Sequence, residues 1–115
     1  MADTDKLIKK ILAFRDARDW KQFHNPKDLA ISLVLEAGEV MEHFQWKSKE
    51  EVEEYVKTHK EHIGEELADV QNYLLLLSHD LGIDLEKAVL KKMKKNALKY
   101  PIHKAKGKHT KYNKL

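Results

Sequence analysis

Only four glycines and two prolines punctuate this chain of 115 residues, and its apolar side chains recur every three or four positions. That spacing is typical of amphipathic helices, and the alternating Val, Ile and Thr runs that would indicate strands are absent. Capping signals at Asn25-Pro26, at Ser48 with Glu51 and at Asp84 mark where helices begin. The pattern therefore predicts an all-α fold, a bundle of four to five helices. The expected helices run from Asp3 or Thr4 towards residue 22, from Pro26 to about Trp46, and over roughly 49–59, 61–81 and 85–99, with Gly82 as a C-cap.

The composition, 42% hydrophobic and 36% charged, predicts a single domain over residues 1–115 with a modest core. Association into a homodimer or homotetramer would enlarge that core. The chain has no cysteine, which suits a reducing compartment and rules out a disulfide framework. No apolar stretch approaches the length of a membrane span, and MADTDKLIKK has no apolar region typical of an export signal. We expect a cytoplasmic protein with no membrane contact.

Charge is divided unevenly along the chain. Residues 91–115 contain ten lysines and no acid, whereas residues 1–90 contain all 19 acids. The basic tail, 101–115, is either a solvated segment or part of a polyanion clamp for nucleic acid or for a small phosphorylated ligand. Because the aromatic side chains lie near acids and not near these lysines, the pattern argues against nucleic acid as the partner.

Acidic side chains border the apolar face of both long helices. At about 100° per residue, Glu36 lies about 60° and Glu39 about 120° to one side of Leu33. Glu66 and Asp69 occupy the same two angular positions on the fourth helix. The predicted apolar stripes are Leu33, Ala37, Val40 and Phe44, flanked by Val34 and Met41, and on the fourth helix Ile63, Leu67, Val70, Leu74, Leu77 and Leu81.

Two such helices, packed together, can bring these four carboxylates to the edge of a shared core. Their ionised forms persist there only if a positive charge compensates them. A hard divalent cation does so most simply, so we expect a Mg²⁺ site, with Mn²⁺ as a substitute. Other metal sites fit less well. No Glu-x-x-His motif of a di-iron bundle is present, and His59 with His62, which could bind a metal, lie in a charge-rich stretch that favours solvation.

Aromatic residues lie close in sequence to these acids. Trp20 and His24 belong to the junction RDWKQFHNP, Trp46 ends the second helix, and Tyr73 follows Asp69 by four positions. Aromatic rings stack on nucleobases, although they also fill the ends of small cores. No glycine-rich phosphate loop is present, so a bound nucleotide would be held by metal and side chains.

Three blocks contain most of these features: RDWKQFHNPKDLAISLVLEAGEVMEHFQWK, GEELADVQNYLLLL and KKMKKNALKYP. In order and spacing they resemble the signature blocks of the MazG-like, all-α nucleoside triphosphate pyrophosphohydrolases, and in detail the dCTP pyrophosphatase branch. Ile11 stands where vertebrate dCTP enzymes have a base-contacting histidine, so the base preference is left open. The resemblance implies that Glu36, Glu39, Glu66 and Asp69 hold Mg²⁺, that Trp20, Trp46 and Tyr73 enclose the base with His24 nearby, and that Lys92, Asn96 and Tyr100 contact the phosphates.

The expected function is therefore Mg²⁺-dependent hydrolysis of a deoxynucleoside triphosphate, with dCTP or modified dCTP as a candidate, to the monophosphate and pyrophosphate. Such an enzyme would cleanse the nucleotide pool. Since no protein nucleophile is evident, Glu36 or Glu66 would serve as the base that activates water. The alternatives are a helical nucleic-acid-binding module that uses the basic C-terminal segment and a structural interaction protein that needs no metal.

Overall fold

The structure is a computed structural model that describes residues 3–115. Within this range every regular element is helical and no strand occurs, which confirms the predicted all-α fold. None of the helices described is both long and apolar enough to cross a membrane. The elements are α1 (Asp3–Ala17), α2 (Pro26–Glu42), α3 (Lys49–Asp80), α4 (Leu85–Lys99) and a short α5 (Ile102–Ala105), with 3₁₀ turns at Lys21–Phe23 and Tyr112–Lys114.

The predicted caps are confirmed at three helix starts. The side chain of Asn25 accepts a hydrogen bond from the backbone N–H of Asp28, and that of Asp84 accepts one from Lys87. Ser48 and Glu51 form a capping box in which each side chain bonds the backbone of the other. These bonds satisfy N–H groups that have no partner within the helix, so the sequence fixes where these helices begin.

The boundaries of four predicted helices were wrong. The predicted helices 49–59 and 61–81 form one 32-residue helix, α3, because the charged stretch between them contains neither proline nor a cap. α1 ends at Ala17 and not near residue 22, since Asp19 adopts a left-handed conformation with φ 52°. α2 ends at Glu42, before the left-handed Trp46 at φ 69°.

The described chain separates into two compact units, the first ending at Gly82 and the second comprising Ile83–Leu115. Gly82 has φ 71°, the left-handed conformation expected of the predicted C-cap. α4 and α5 lie in the second unit. The single domain over 1–115 with a tail at 101–115 stays a prediction.

In the first unit, α3 packs against α2 and against α1. Because α3 contacts two helices, its buried face in this region includes Leu75 and Leu76, beside the predicted stripe, and Leu29 of α2 is buried with them. Four residues of the predicted stripes and their flanks are instead about half exposed or more, namely Val34, Met41, Leu67 and Leu81. The core within one chain is as small as the composition predicts.

Candidate active site

Three of the four predicted metal-ligating acids meet where α2 packs on α3. Oxygens of Glu36, Glu39 and Glu66 lie within 4.8 Å of one another. The sequence brings them together because Glu36 and Glu39 are one turn apart on α2 and Glu66 occupies the equivalent border of α3. The fourth acid, Asp69, is close enough for its charge to act on Glu36 and Glu66. The angular positions predict that these acids meet, and Glu36, Glu39 and Glu66 do so in the structure.

The surroundings of Glu36 oppose its ionisation. Burial, a hydrogen bond that its neutral carboxyl can donate to Glu39, and the negative charges of Glu39, Asp69 and Glu66 together raise its pKa to about 6. Oxygen Oε2 of Glu36 is buried, and no group among residues 3–115 donates a hydrogen bond to it. A buried carboxylate oxygen without a partner is costly, so this site calls for a compensating positive charge.

The surroundings of Glu66 also oppose its ionisation. Its hydrogen bond with Glu39, followed by burial and the Glu39 charge, raises the pKa of Glu66, while His62 opposes that change. A cluster that offers only carboxylate oxygens has the donor set that Mg²⁺ prefers. Both the orphaned oxygen of Glu36 and this donor chemistry fit a hard divalent cation.

A cavity of about 470 Å³ adjoins the carboxylates. Glu36 and Asp69 form part of its wall, so the acids and the cavity make one continuous site. A volume of this size suits a small-molecule ligand. The remaining lining residues are Lys10, Ile11, Phe14, Arg15, Trp20, His24, Asn72, Tyr73 and Leu76.

The aromatic side chains predicted near the base divide into two groups. Trp20, His24 and Tyr73 line the cavity, and Phe14 packs edge-on against Trp20 with ring centroids 5.9 Å apart. Trp46 is not among the described residues that line the cavity, and it is 91% exposed at its left-handed turn. A contact between Trp46 and a base stays a prediction.

An ion pair between α1 and α3 positions the segment that carries Trp20 and His24. Arg15 donates to both carboxylate oxygens of Asp80, at 2.8 and 3.0 Å, and Lys21 lies 3.3 Å from the same carboxylate. Arg15 Nη1 also lies 3.4 Å from Nδ1 of His24. The bidentate pair therefore holds the end of α1 against α3, and Lys21 and His24 of the junction contact the same pair.

Charge and burial near this ion pair also affect protonation. Burial, and then the charge of Arg15, lower the pKa of His24. The hydrogen bonds from Arg15 hold the pKa of Asp80 below its usual value. His24 is consequently neutral at physiological pH, so one ring nitrogen can accept a hydrogen bond and the other can donate one.

The predicted phosphate contacts Lys92, Asn96 and Tyr100 lie in the second unit, on α4 and its C-cap. Lys92 and Asn96 are exposed there, one turn apart, so they share a face of the helix. Their role in binding phosphate stays a prediction.

Asn72 and Arg15 are among the cavity residues that the sequence did not indicate. Asn72 lines the cavity with its carboxamide. Its position on α3, between the predicted site residues Asp69 and Tyr73, could have indicated this. Arg15 is 4% exposed, and only its pairing with Asp80, 65 positions away, explains its burial. No local sequence pattern could have indicated a contact at that separation.

Comparisons with known proteins agree with this geometry. The model of the MazG-like family matches residues 31–115. The dCTP pyrophosphatase 1 of Rattus norvegicus is 43% identical over 104 residues and that of Homo sapiens is 41% identical over 104 residues, in each case 89% of this chain and 61% of the relative. The chain thus spans about three-fifths of the length of the curated relatives it matches.

A solved structure of a pyrophosphatase from Archaeoglobus fulgidus superimposes with a TM-score of 0.83 at 40% identity. The match covers 88% of this chain and 94% of the archaeal one. Together with the family match over residues 31–115, this agreement in sequence and fold shows that the chain belongs to the MazG-like family.

Proposed function

We propose that this protein hydrolyses a nucleoside triphosphate to the nucleoside monophosphate and pyrophosphate, with dCTP or a modified dCTP as the candidate substrate. The observation that supports it best is a cavity lined both by aromatic side chains and by Glu36 and Asp69. A nucleoside triphosphate needs aromatic rings that stack on its base and, next to them, acids that hold a metal ion for its phosphates. The names of the similar proteins, dCTP pyrophosphatase and pyrophosphatase, favour the same reaction.

Glu36, Glu39, Glu66 and Asp69 would hold Mg²⁺. When bound, the ion would neutralise the phosphate oxygens. Glu36 or Glu66 would accept a proton from the attacking water, since both are carboxylates of this cluster. The water oxygen forms a bond to the α-phosphorus as the bond from that phosphorus to the bridging oxygen breaks, and pyrophosphate departs with the electron pair.

The cavity would receive the base. Trp20 and Tyr73 offer rings for stacking, and Ile11 and Leu76 exclude water from the base edges. Asn72 presents one carbonyl acceptor and one amide donor, the complement of an aminopyrimidine edge. Lys92, Asn96 and Tyr100 would contact the phosphates, as the family resemblance implies.

The direct test is incubation of the protein with each deoxynucleoside triphosphate and Mg²⁺, with separate measurement of monophosphate, pyrophosphate and inorganic phosphate. We expect equal amounts of monophosphate and pyrophosphate. Release of inorganic phosphate as the primary product, or no product from any nucleotide, would refute the assignment.

Replacement of Glu66 by Gln should lower kcat by about 10²-fold or more, because the variant loses a carboxylate of the cluster. Glu65→Gln is the matched control, since it makes the same chemical change at the adjacent, exposed position of α3. Circular dichroism should show unchanged helicity in both variants. Full activity in Glu66→Gln would remove this residue from the site.

A further inference from the structure

Two histidines lie on the side of Glu66 that faces the C-terminal end of α2. His43, the C-cap residue of α2, places Nε2 4.0 Å from an oxygen of Glu66, and His62 of α3 places Nε2 3.3 Å from the same oxygen. The donor atoms of all three residues lie within 4.8 Å of one another. The histidine rings meet edge to face, with centroids 4.9 Å apart. The sequence pattern favours solvation of His62 and indicates no role for His43.

The donor set differs in chemistry from the neighbouring carboxylates. Two imidazole nitrogens and one carboxylate oxygen are ligands of Zn²⁺ and similar borderline transition metals, whereas Mg²⁺ prefers oxygen alone. Around a tetrahedral Zn²⁺ the donor atoms are roughly 3.3 Å apart. His62 and Glu66 already match this separation, and they are four residues apart on one helix, a spacing that places two ligands on one face.

His43 has the supporting contact that metal-bound histidines usually have. Its side chain is 7% exposed, and Nδ1 lies 2.6 Å from the hydroxyl oxygen of Tyr55. When Nδ1 carries the proton and donates it to Tyr55, Nε2 is left with a lone pair directed to the side of Glu66. The ring of Tyr55 is in turn stacked on His59, with centroids 3.8 Å apart.

We propose that His43, His62 and Glu66 form a second metal site, specific for a divalent transition metal such as Zn²⁺ and distinct in its donors from the carboxylate cluster. Glu66 belongs to both groups of ligands. An ion held by the histidines therefore withdraws a carboxylate from the cluster, and the two sites compete for it. Competition would make Zn²⁺ an inhibitor of the Mg²⁺-supported reaction, a consequence that rests on the proposed function, whereas the binding does not.

Calorimetric titration of the intact protein with ZnCl₂, in excess Mg²⁺, tests the binding. We expect one equivalent of Zn²⁺ to bind to the wild type, and at least about tenfold weaker binding to His62→Ala, whose exposed side chain can be removed without disturbing the core. His43→Gln should weaken binding as well, and Tyr55→Phe should do so by about tenfold through the lost bond to Nδ1. His79→Ala, which removes an exposed histidine near the other end of α3, should bind as the wild type does.

Absence of Zn²⁺ binding to the wild type, or equal affinity in His62→Ala, would overturn the proposal. Either result would leave His62 and Glu66 as a simple ion pair. Visible absorption of the Co²⁺-substituted protein gives a second readout, since bands of tetrahedral Co²⁺ should be present in the wild type and lost in His62→Ala.

Turnover assays test the competition for Glu66. Zn²⁺ should inhibit the Mg²⁺-supported reaction of the wild type, and His62→Ala should need about tenfold more Zn²⁺ for the same inhibition. Binding without inhibition would overturn the shared role of Glu66. If no nucleotide is hydrolysed, the proposed function fails, and the titration still decides whether the metal site exists.

Discussion

Burial and three neighbouring acids act together on the carboxyl group of Glu36, so its protonation depends on the fold. The pKa of Glu36 is raised from 4.5 to about 6. The folded state therefore holds this proton over a range of pH in which the unfolded chain has lost it. The resulting contribution to stability is complete below pH 4.5 and is lost as the pH rises through about 6.

Replacement of Glu36 by Gln should stabilise the metal-free protein at neutral pH. The neutral amide avoids the repulsion, and the free energy of unfolding should rise by on the order of 1 kcal/mol, reduced by solvent screening. The gain should disappear at about pH 5, where the wild-type carboxyl is largely protonated. Urea denaturation at both pH values measures the difference, with Glu42→Gln, at an exposed position of the same helix, as the control. A less stable Glu36→Gln at neutral pH would contradict the repulsion.

Asn72 places a carboxamide in the wall of the cavity, where it can recognise a base. If its carboxamide reads the base, Asn72→Leu should lower kcat/KM for the preferred nucleotide by about 10- to 100-fold and change the ranking of the four bases. Gln71→Leu makes a comparable change at the adjacent position, which does not line the cavity. An unchanged base ranking in Asn72→Leu, measured on the same nucleotide panel, would exclude this residue from base recognition.

At the scale of elements, the ends of α1 and α3 are joined by Arg15 and Asp80, whose side chains are 5% and 7% exposed. A buried guanidinium needs its carboxylate, because an uncompensated charge in the interior is costly. This pair also holds the junction that carries Trp20 and His24, so helix packing and the shape of the cavity depend on the same contact.

Asp80→Asn should therefore destabilise the protein by about 3 kcal/mol, since it leaves Arg15 buried without a counter-charge. Urea denaturation measures the loss. Glu54→Gln removes an exposed ion pair with Lys57 and should change stability by less than about 0.5 kcal/mol. The double variant Arg15→Met, Asp80→Leu should recover most of the loss. An Asp80→Asn protein within about 1 kcal/mol of the wild type would show that the pair does not hold these helices together.

At the scale of the whole molecule, α2 presents a second apolar face in addition to the one packed on α3. Ile31, Val34, Leu35 and Met41 lie on this face and are 50%, 69%, 65% and 57% exposed. An apolar patch of this kind on a small protein is typical of an interface. The small core predicts the same outcome as the sequence did, self-association into a dimer or tetramer.

Light scattering coupled to size-exclusion chromatography should accordingly give a mass of two or four times the 13.5 kDa of one chain. Val34→Glu with Leu35→Glu places charges on the exposed face of α2 and should shift the protein towards monomer. Glu53→Lys, on an exposed position of α3, is a control that also changes charge. A monomeric wild type would contradict this prediction, because it would show that the exposed apolar face of α2 does not join copies of the chain.

The helical fold and the meeting of Glu36, Glu39 and Glu66 could be predicted from the sequence because both follow from local periodicity. A period of 3.6 residues specifies helices, and acids at matching borders of two apolar stripes meet whenever those stripes pack together. The caps at Asn25, Ser48 and Asp84 could be predicted for the same reason, since each bonds a backbone group within three residues. The break near residue 60 was wrongly predicted because charge alone does not end a helix.

The sequence by itself thus determined the class of fold, the starts of α2, α3 and α4 and the acids that meet between α2 and α3, all through caps or periodicity within a few residues of the chain. Only the tertiary structure decided that Arg15 pairs with Asp80, that Asn72 lines the cavity and that His43 lies beside His62 and Glu66. Contacts of this kind join residues on different helices, or depend on how one helix is rotated against its neighbours. The packing of α1 and α2 on α3 decides which residues meet and which face of each helix is buried.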